Sequence, residues 1–284
     1  VGQLIPPTNA FIVYSAASGG AAVATLFMAG WIPGLLWAFL CMIVAFIYGK
    51  KHGYVVKREK MTAAVVGKTI LDSIPSLLLI VIIIGGILSG YFTPTEASGV
   101  AVIYAFILSV FVYKSIKLSE IKDILVNAAV TTTIVMLIIG ASSVLSFVLS
   151  FTGLPQAISN LMLGVSDNKI VILLMINVIL LIVGTFMDMA PALLIFTPIF
   201  LPVITAIGMD PIQFGVMMVM NLSIGTITPP VGSVLFVGCS VAKLKVEDVI
   251  GKLIPFFGAI VVALLFVTFV PAISTWLPTV LGLM

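Results

Sequence analysis

The stretch Ile224-Gly225-Thr226-Ile227-Thr228-Pro229-Pro230-Val231-Gly232 interrupts an apolar run, Phe214–Ala242, that is otherwise long enough to cross a membrane. Neither Pro229 nor Pro230 has an N–H, and a proline disfavours helical geometry in the residue before it. A helix arriving from Phe214 therefore breaks here. The carbonyls of Ile224 to Ile227 are expected to lose their intrahelical donors, and in hydrocarbon they must be met by protein, water or a cation. Gly225 lets another backbone approach closely, and Thr226, Thr228 and Ser233 add hydroxyl oxygens. A monovalent cation such as Na⁺ takes a shell of oxygens, which an unwound helix facing a hairpin tip supplies. The plainer alternative is a proline kink whose oxygens are taken up by neighbouring helices.

The chain opens on the same pattern, Val1-Gly2-Gln3-Leu4-Ile5-Pro6-Pro7-Thr8-Asn9, with the Gly and both Pro at a constant offset of 223 (225 − 2, 229 − 6, 230 − 7). Each copy leads into an apolar helix, Ala10–Ala16 and Ser233–Ala242. Each is followed by an Ile-Pro that opens another span, Ile32-Pro33 and Ile254-Pro255. The first copy exits into a charge-free loop and the second into Lys243 and Lys245, so the two copies are expected to point in opposite directions, as in an inverted-topology repeat. Chance recurrence is the alternative, since Gly and Pro are frequent in membrane helices.

Composition agrees with a membrane reading. The 284 residues are 62% hydrophobic and 8% charged, against about 45–50% and about 25% in a soluble domain, which excludes a soluble globular or a disordered chain. At roughly 20 apolar residues per span, the length allows about eight to ten crossing or re-entrant segments. A net charge of +3 is too small to suggest nucleic acid as a partner. Cys41 and Cys239 lie in apolar runs and read as inert thiols, while His52, the one histidine, lies in a basic loop. With no HExxH, no Ser/His pair and no second acid near Asp188, an intramembrane enzyme is disfavoured. An ion channel is the closer rival, because broken helices also line selectivity filters. The start at Val1, with no charged n-region, carries no secretory signal and reads as part of a longer polytopic protein.

The basic residues orient the spans. Lys50, Lys51, Lys57, Arg58, Lys60 and Lys68 form one cluster, Lys114, Lys117 and Lys122 a second, and Lys243, Lys245 and Lys252 a third; Lys169 stands apart. Short basic loops mark the cytoplasmic side. Trp31–Tyr48 then runs inward, residues 52–68 lie along the interface, Ile74–Gly90 runs outward and Glu96–Tyr113 inward. Leu125–Ser150 runs outward, 152–166 is a short interfacial segment, Phe214–Ala242 runs inward and Ile254–Leu277 outward.

Residues 170–207 depart from this pattern. Ile170–Val183 and Ala192–Ile207 are short for spans, near 22 Å as helix against a core of about 30 Å. The link Gly184-Thr185-Phe186-Met187-Asp188-Met189-Ala190-Pro191 is too apolar for a solvated loop. A re-entrant hairpin with its tip at mid-depth is expected, with two full spans as the alternative. Asp188 reads either as a functional intramembrane carboxylate or as the cap of the second arm. Elsewhere Thr93-x-x-Glu96 with Pro94 is a capping-box pattern, Asp72 a helix-start charge, and Gly86–Gly90 a small-xxx-small spacing for close helix packing.

The stretches GYFTPTEASGVAVIYA (Gly90–Ala105), GTFMDMAPALLIFTPIFLPV (Gly184–Val203) and NLSIGTITPPVGSVLFVGCSVAK (Asn221–Lys243), with the opening LIPPT and LFMAGWIPGLL, resemble the large membrane subunit of the tripartite ATP-independent periplasmic (TRAP) transporters. The likeness runs over the whole chain and corresponds to the C-terminal two thirds of that subunit. It implies an all-α polytopic membrane protein with an inverted-topology repeat, broken helices and a re-entrant hairpin, working as an elevator-type transporter. The implied division is a transport-domain broken helix over 1–29 (its first hairpin lying outside the chain), scaffold spans and an interfacial helix over 30–122, the second transport repeat over 123–252, and a scaffold span over 253–284. Within that second repeat the hairpin covers 170–207 and the broken helix 213–242.

The resemblance further implies Na⁺-driven uptake of an organic acid, such as a C4-dicarboxylate or sialic acid, across the bacterial inner membrane. Implied partners are a small membrane subunit, a periplasmic substrate-binding protein and membrane lipid. Carried over by motif, one Na⁺ site uses Gly184, Gly225, Thr228 and Val231, and another uses Gly2, Ile5 and Pro7. The substrate lies between the hairpin tips, with Thr185, Asp188 and Ser233 nearby, although repulsion argues against Asp188 as a direct ligand of an anion.

Overall fold

The computed structural model describes residues 1–53, 62–166, 168–229 and 232–284. Among them every regular element is helical, as expected where no solvent is present to satisfy open backbone groups. Seven of these helices are long and apolar enough to cross a membrane, within Val23–His52, Val65–Leu88, Pro94–Val112, Leu118–Ala141, Lys169–Phe186, Met189–Ala206 and Val246–Phe269. The chain is a polytopic membrane protein.

It folds as two compact units, one of residues 1–48 with 137–284 and one of 49–136. Residues 30–48 and 253–284, expected with a scaffold, therefore belong to the same compact unit as the hairpin. In the 49–136 unit, α3 (Ala63–Leu88) packs against α4 (Pro94–Ile107), and a π turn, Leu108–Val112, extends α4. The capping box forms as read: Thr93 Oγ1 accepts from the Glu96 N–H at 3.3 Å, and Glu96 Oε2 accepts from the Thr93 N–H at 2.8 Å. The Tyr104 hydroxyl donates to the Pro75 carbonyl at 2.8 Å and so ties α4 to α3. Gly86 and Gly90 do not form a helix-packing seam. Gly90 has φ +74° and ends α3, and a Cβ on Gly86 would collide with the Phe92 ring, which folds back over it. Of the expected interfacial stretch 52–68, residues 54–61 lie outside the described residues and 63–68 belong to α3.

The larger unit contains α1 (Asn9–Ala17), most of α2 (Val23–His52), the end of α5 (Ile121–Thr152), α6 (Leu154–Val165), α7 (Lys169–Phe186), α8 (Met189–Ala206), α9 (Pro211–Gly225), α10 (Ser233–Ala242), α11 (Val246–Phe269) and α12 (Ala272–Val280). Its centre is α9, buried at every residue from Ile212 to Gly225. A helix apolar on all sides needs neighbours on all sides, and α9 has α7, α8, α11, α1 and α12 around it. Its start is well specified. Gly208 (φ +70°) closes α8, Asp210 Oδ1 accepts from the Ile212 N–H at 2.7 Å, and Pro211 needs no donor in the first turn.

The expected single span Ile254–Leu277 is two helices. α11 begins earlier, at Val246, and stops at Phe269. Pro271, which has no N–H, separates it from α12. The two proline breaks share a local turn. The Leu4 N–H donates to Val1 O at 2.9 Å, and at the same offset of 223 the Ile227 N–H donates to Ile224 O at 3.2 Å. α1 reaches the Pro211 end of α9, where the Tyr14 hydroxyl donates to the Pro211 carbonyl at 2.6 Å and the Tyr14 ring fills the notch at Gly215. α10 leaves from the opposite, Gly225 end.

Candidate functional site: the hairpin tip against the broken helix

α7 and α8 are antiparallel arms joined by Met187 and Asp188 alone. At their open end Lys169 Nζ, the isolated cation of the sequence, donates to the Gly208 carbonyl at 3.1 Å. Each arm has 18 residues, about 27 Å of helix, so the arms are longer than expected and length no longer separates a re-entrant hairpin from two spans. The neighbours give the tip's level directly. Thr185 and Phe186 share a cavity of about 340 Å³ with Ile224 and Thr228 at the break and with Phe257 and Val261. Phe257 is at the middle of α11, which has 24 residues, about 36 Å. At the other end of α9, Gln213 Nε2 donates to the Val267 and Thr268 carbonyls near the end of α11. The tip and the break thus lie level with each other, halfway along a full-length span.

Gly184 and Gly225 make the closest contact at this level. A Cβ on Gly225 would fall inside the Gly184 backbone, 2.6 Å from its carbonyl oxygen. One on Gly184 would lie 3.1 Å from Gly225 Cα and 3.3 Å from Leu222 Cα. Two backbones meet here because neither residue has a side chain. Of the first-named ion-site residues, the structure brings Gly184, Gly225 and Thr228 to one place; Val231 lies outside the described residues.

The carbonyls at the break are not stripped of donors as expected. Ile224 O accepts from the Ile227 N–H at 3.2 Å and from Thr228 Oγ1 at 2.7 Å, Gly225 O from the Thr228 N–H at 2.9 Å, and Thr226 O from the Val234 N–H at 3.1 Å. Tight turns and a returning strand of backbone replace the helical ladder. A carbonyl oxygen with one donor keeps a second lone pair, and Thr228 Oγ1, having donated its proton, still presents its own. The break therefore remains a surface of oxygens able to face a cation.

The residues of the other ion site are not gathered. Gly2 and Pro7 are exposed, Ile5 is half-buried, and a Cβ on Gly2 would meet nothing within 4 Å. This segment packs instead on α2, with the Leu4 carbonyl against Gly30 and the Ile5 side chain against Gly34. Among the substrate candidates, Thr185 is half-buried, with its hydroxyl on the Ile182 carbonyl at 2.7 Å. Asp188 is exposed; its backbone occupies the cap position of α8, but its carboxylate makes no capping bond. Ser233 opens α10.

Sequence reasoning passed over four buried polar residues of α7, α9 and α11: Asn177, Gln213, Asn221 and Thr268. The available signal was one amide inside the apolar run of α7 and two inside that of α9, since buried polar groups in such surroundings must be paired.

The profile of the family described as tripartite ATP-independent periplasmic transporter, DctM component, matches residues 1–273. Among curated relatives, the chain is 50% identical over 98% of its length to "Uncharacterized protein YgiK" of Salmonella typhimurium, covering 64% of that protein. It is 38% identical over 96% of its length to "Isethionate TRAP transporter permease protein DctMQ" of Oleidesulfovibrio alaskensis, covering 43%. It is also 38% identical over its whole length to "C4-dicarboxylate TRAP transporter large permease protein DctM" of Pseudomonas aeruginosa, covering 66%. The chain spans two thirds or less of each of these relatives.

Proposed function

The chain belongs to the DctM family of TRAP transporter permeases, which are transporters and not enzymes, and from that premise we propose that it is the moving part of a Na⁺-coupled importer of small organic anions. Substrate is delivered by a periplasmic binding protein, and a small membrane subunit completes the permease in the inner membrane. The cation lies between the hairpin tip at Gly184 and the break at Gly225–Thr228; Val231, the fourth residue named for this site, lies outside the described residues. The single observation that carries this reading is the backbone contact of Gly184 with Gly225 halfway along α11. A cation held between a re-entrant tip and an unwound helix bridges the two elements where their backbones meet, and so orders the ground on which substrate sits.

The shared turn of the two proline breaks, and the departure of α1 and α10 from opposite ends of α9, support an inverted repeat. In this reading Gly2, Ile5 and Pro7 are half of a second cation site, whose other half belongs to the part of the relatives that this chain does not span. The larger compact unit moves as a body in an elevator cycle. The relatives' names point to isethionate and C4-dicarboxylates; a sugar acid such as sialic acid is the other class that fits. Thr185 at the tip, Ser233 at the start of α10 and Asp188 at the tip's edge are the substrate-side residues in this reading.

The test is uptake into proteoliposomes carrying the full-length subunit with its small membrane subunit, supplied with the binding protein and labelled succinate, isethionate or N-acetylneuraminate. Uptake is expected for one of the three, only with binding protein and only with Na⁺ outside; KCl in place of NaCl abolishes it. Uptake that runs equally well without Na⁺ on a proton gradient overturns Na⁺ coupling and makes Asp188 the first residue to replace. Ion flux without substrate makes the protein a channel.

A further inference from the structure

Three of the buried polar residues, Asn221, Asn177 and Thr268, form one chain of hydrogen bonds across three helices. Asn221 Nδ2 on α9 donates to the carbonyl and to the side-chain oxygen of Asn177 on α7, at 3.0 and 2.8 Å. Asn177 Nδ2 donates to Leu173 O at 2.8 Å and to Thr268 Oγ1 on α11 at 3.3 Å. Thr268 Oγ1 ends the chain on Leu264 O at 2.8 Å. Asn177 is 3% exposed and Asn221 is 0% exposed.

The order of the residues along each helix gives this chain its meaning. Both α7 and α9 run toward the tip. Asn177 precedes Gly184 by seven residues, two helical turns, and Asn221 precedes Gly225 by four, about one turn, so both amides lie on the faces that carry the two glycines together. The rest of that seam is apolar. A single dispersion contact between methyl groups is weak and has no preferred direction. A hydrogen bond resists a slide of one helix along the other, since its donor–acceptor distance is confined to about 2.7–3.2 Å.

We infer that Asn177 and Asn221 are positioning residues: the amide pair locks α7 to α9 in the register that holds Gly184 against Gly225, and so sets the size of the oxygen shell between them. This rests on the cation reading above. The lock uses the Asn221 nitrogen only. The Asn221 side-chain oxygen has no partner and contributes nothing to it.

The experiment measures melting temperature of the full-length subunit, with its small membrane subunit, in detergent against increasing NaCl, with KCl at constant ionic strength as the blank. Asn177→Leu, Asn221→Leu and the double variant keep side-chain volume. The double variant guards against a single variant that fails to fold, because replacing both partners by apolar groups is nearly neutral for stability. The NaCl needed for half the Na⁺-induced shift is expected to rise about 10-fold, the effect of one lost hydrogen bond, in each single variant and no further in the double, with the KCl melting temperature of the double variant little changed. A lower KCl melting temperature with an unchanged NaCl midpoint would mean a merely structural pair and overturns the inference. So does a shifted midpoint in Asn221→Leu alone, which would make the Asn221 oxygen a direct ligand. A wild-type protein indifferent to Na⁺ overturns the cation reading itself, and this inference with it.

Discussion

At the break after Ile224 one glycine backbone presses on another, whereas at the break after Val1 the equivalent glycine, Gly2, has nothing within 4 Å of where a Cβ would stand. The two breaks share their residues, Gly at the second position and Pro at the sixth and seventh of each copy. They share their turn as well, from Leu4 to Val1 and from Ile227 to Ile224. Only the opposing element differs: a hairpin tip for one, and the Gly30–Gly34 face of α2 behind the other. The Gly-x-x-x-Pro-Pro pattern encodes a bend and a cluster of oxygens. Within this chain it is the Gly225 copy that meets a second glycine, Gly184.

The sharpest way to break this comparison is Gly225→Ala. The added carbon would overlap the Gly184 backbone, which has no side chain to yield. Overpacking of this kind costs about 1–3 kcal/mol, so uptake is expected to fall by on the order of 100-fold with protein level maintained. Normal uptake would mean that the contact is incidental. Gly184→Ala, whose neighbours begin at 3.1 Å, is expected to lose only about 5-fold, at the low end of the same range.

Thr228→Val probes the oxygens without changing shape. It removes the donor to Ile224 O and one lone-pair-bearing oxygen from the break. The half-saturating Na⁺ for uptake is expected to rise about 10-fold or somewhat more, given roughly 1.5–3 kcal/mol for a bond to a charged partner. Unchanged Na⁺ dependence would move the cation away from the break.

Gly30→Ala tests the other side of the comparison. Its Cβ would collide with the Leu4 carbonyl and the Phe11 ring, so the melting temperature is expected to drop by about 2–4 °C per kcal/mol of strain. The Na⁺ midpoint of the remaining site should stay where it was. A large shift in that midpoint would show that the two breaks communicate.

The parts of this molecule legible from sequence are those written into the chain locally. The Pro-Pro pair announced the break, and Thr93 and Glu96 the capped start of α4. The two-armed unit was legible too, though its arms are 18 residues each and longer than expected; the level of its tip relative to α11 follows from Phe257 and Gln213 on neighbouring helices. The donors at the break were misjudged because Val234 and the Thr228 hydroxyl return to carbonyls that a straight helix would have left open. The pairing of Asn177 with Asn221 was not legible. The two are 44 residues apart, and nothing in either apolar run says that the other amide will be its partner.

Tyr14 bears on how α9 moves. Its ring fills the notch at Gly215, and its hydroxyl holds the Pro211 carbonyl, at the end of α9 remote from the Gly184–Gly225 contact. The central helix is thereby a strut pinned at both ends, by an aromatic peg at one and by a glycine seam at the other. A strut so pinned does not fray; load applied at one end arrives at the other. Under the cation reading proposed above, release of the ion would then call not for a loose end to open but for a stiff member to carry its whole frame along.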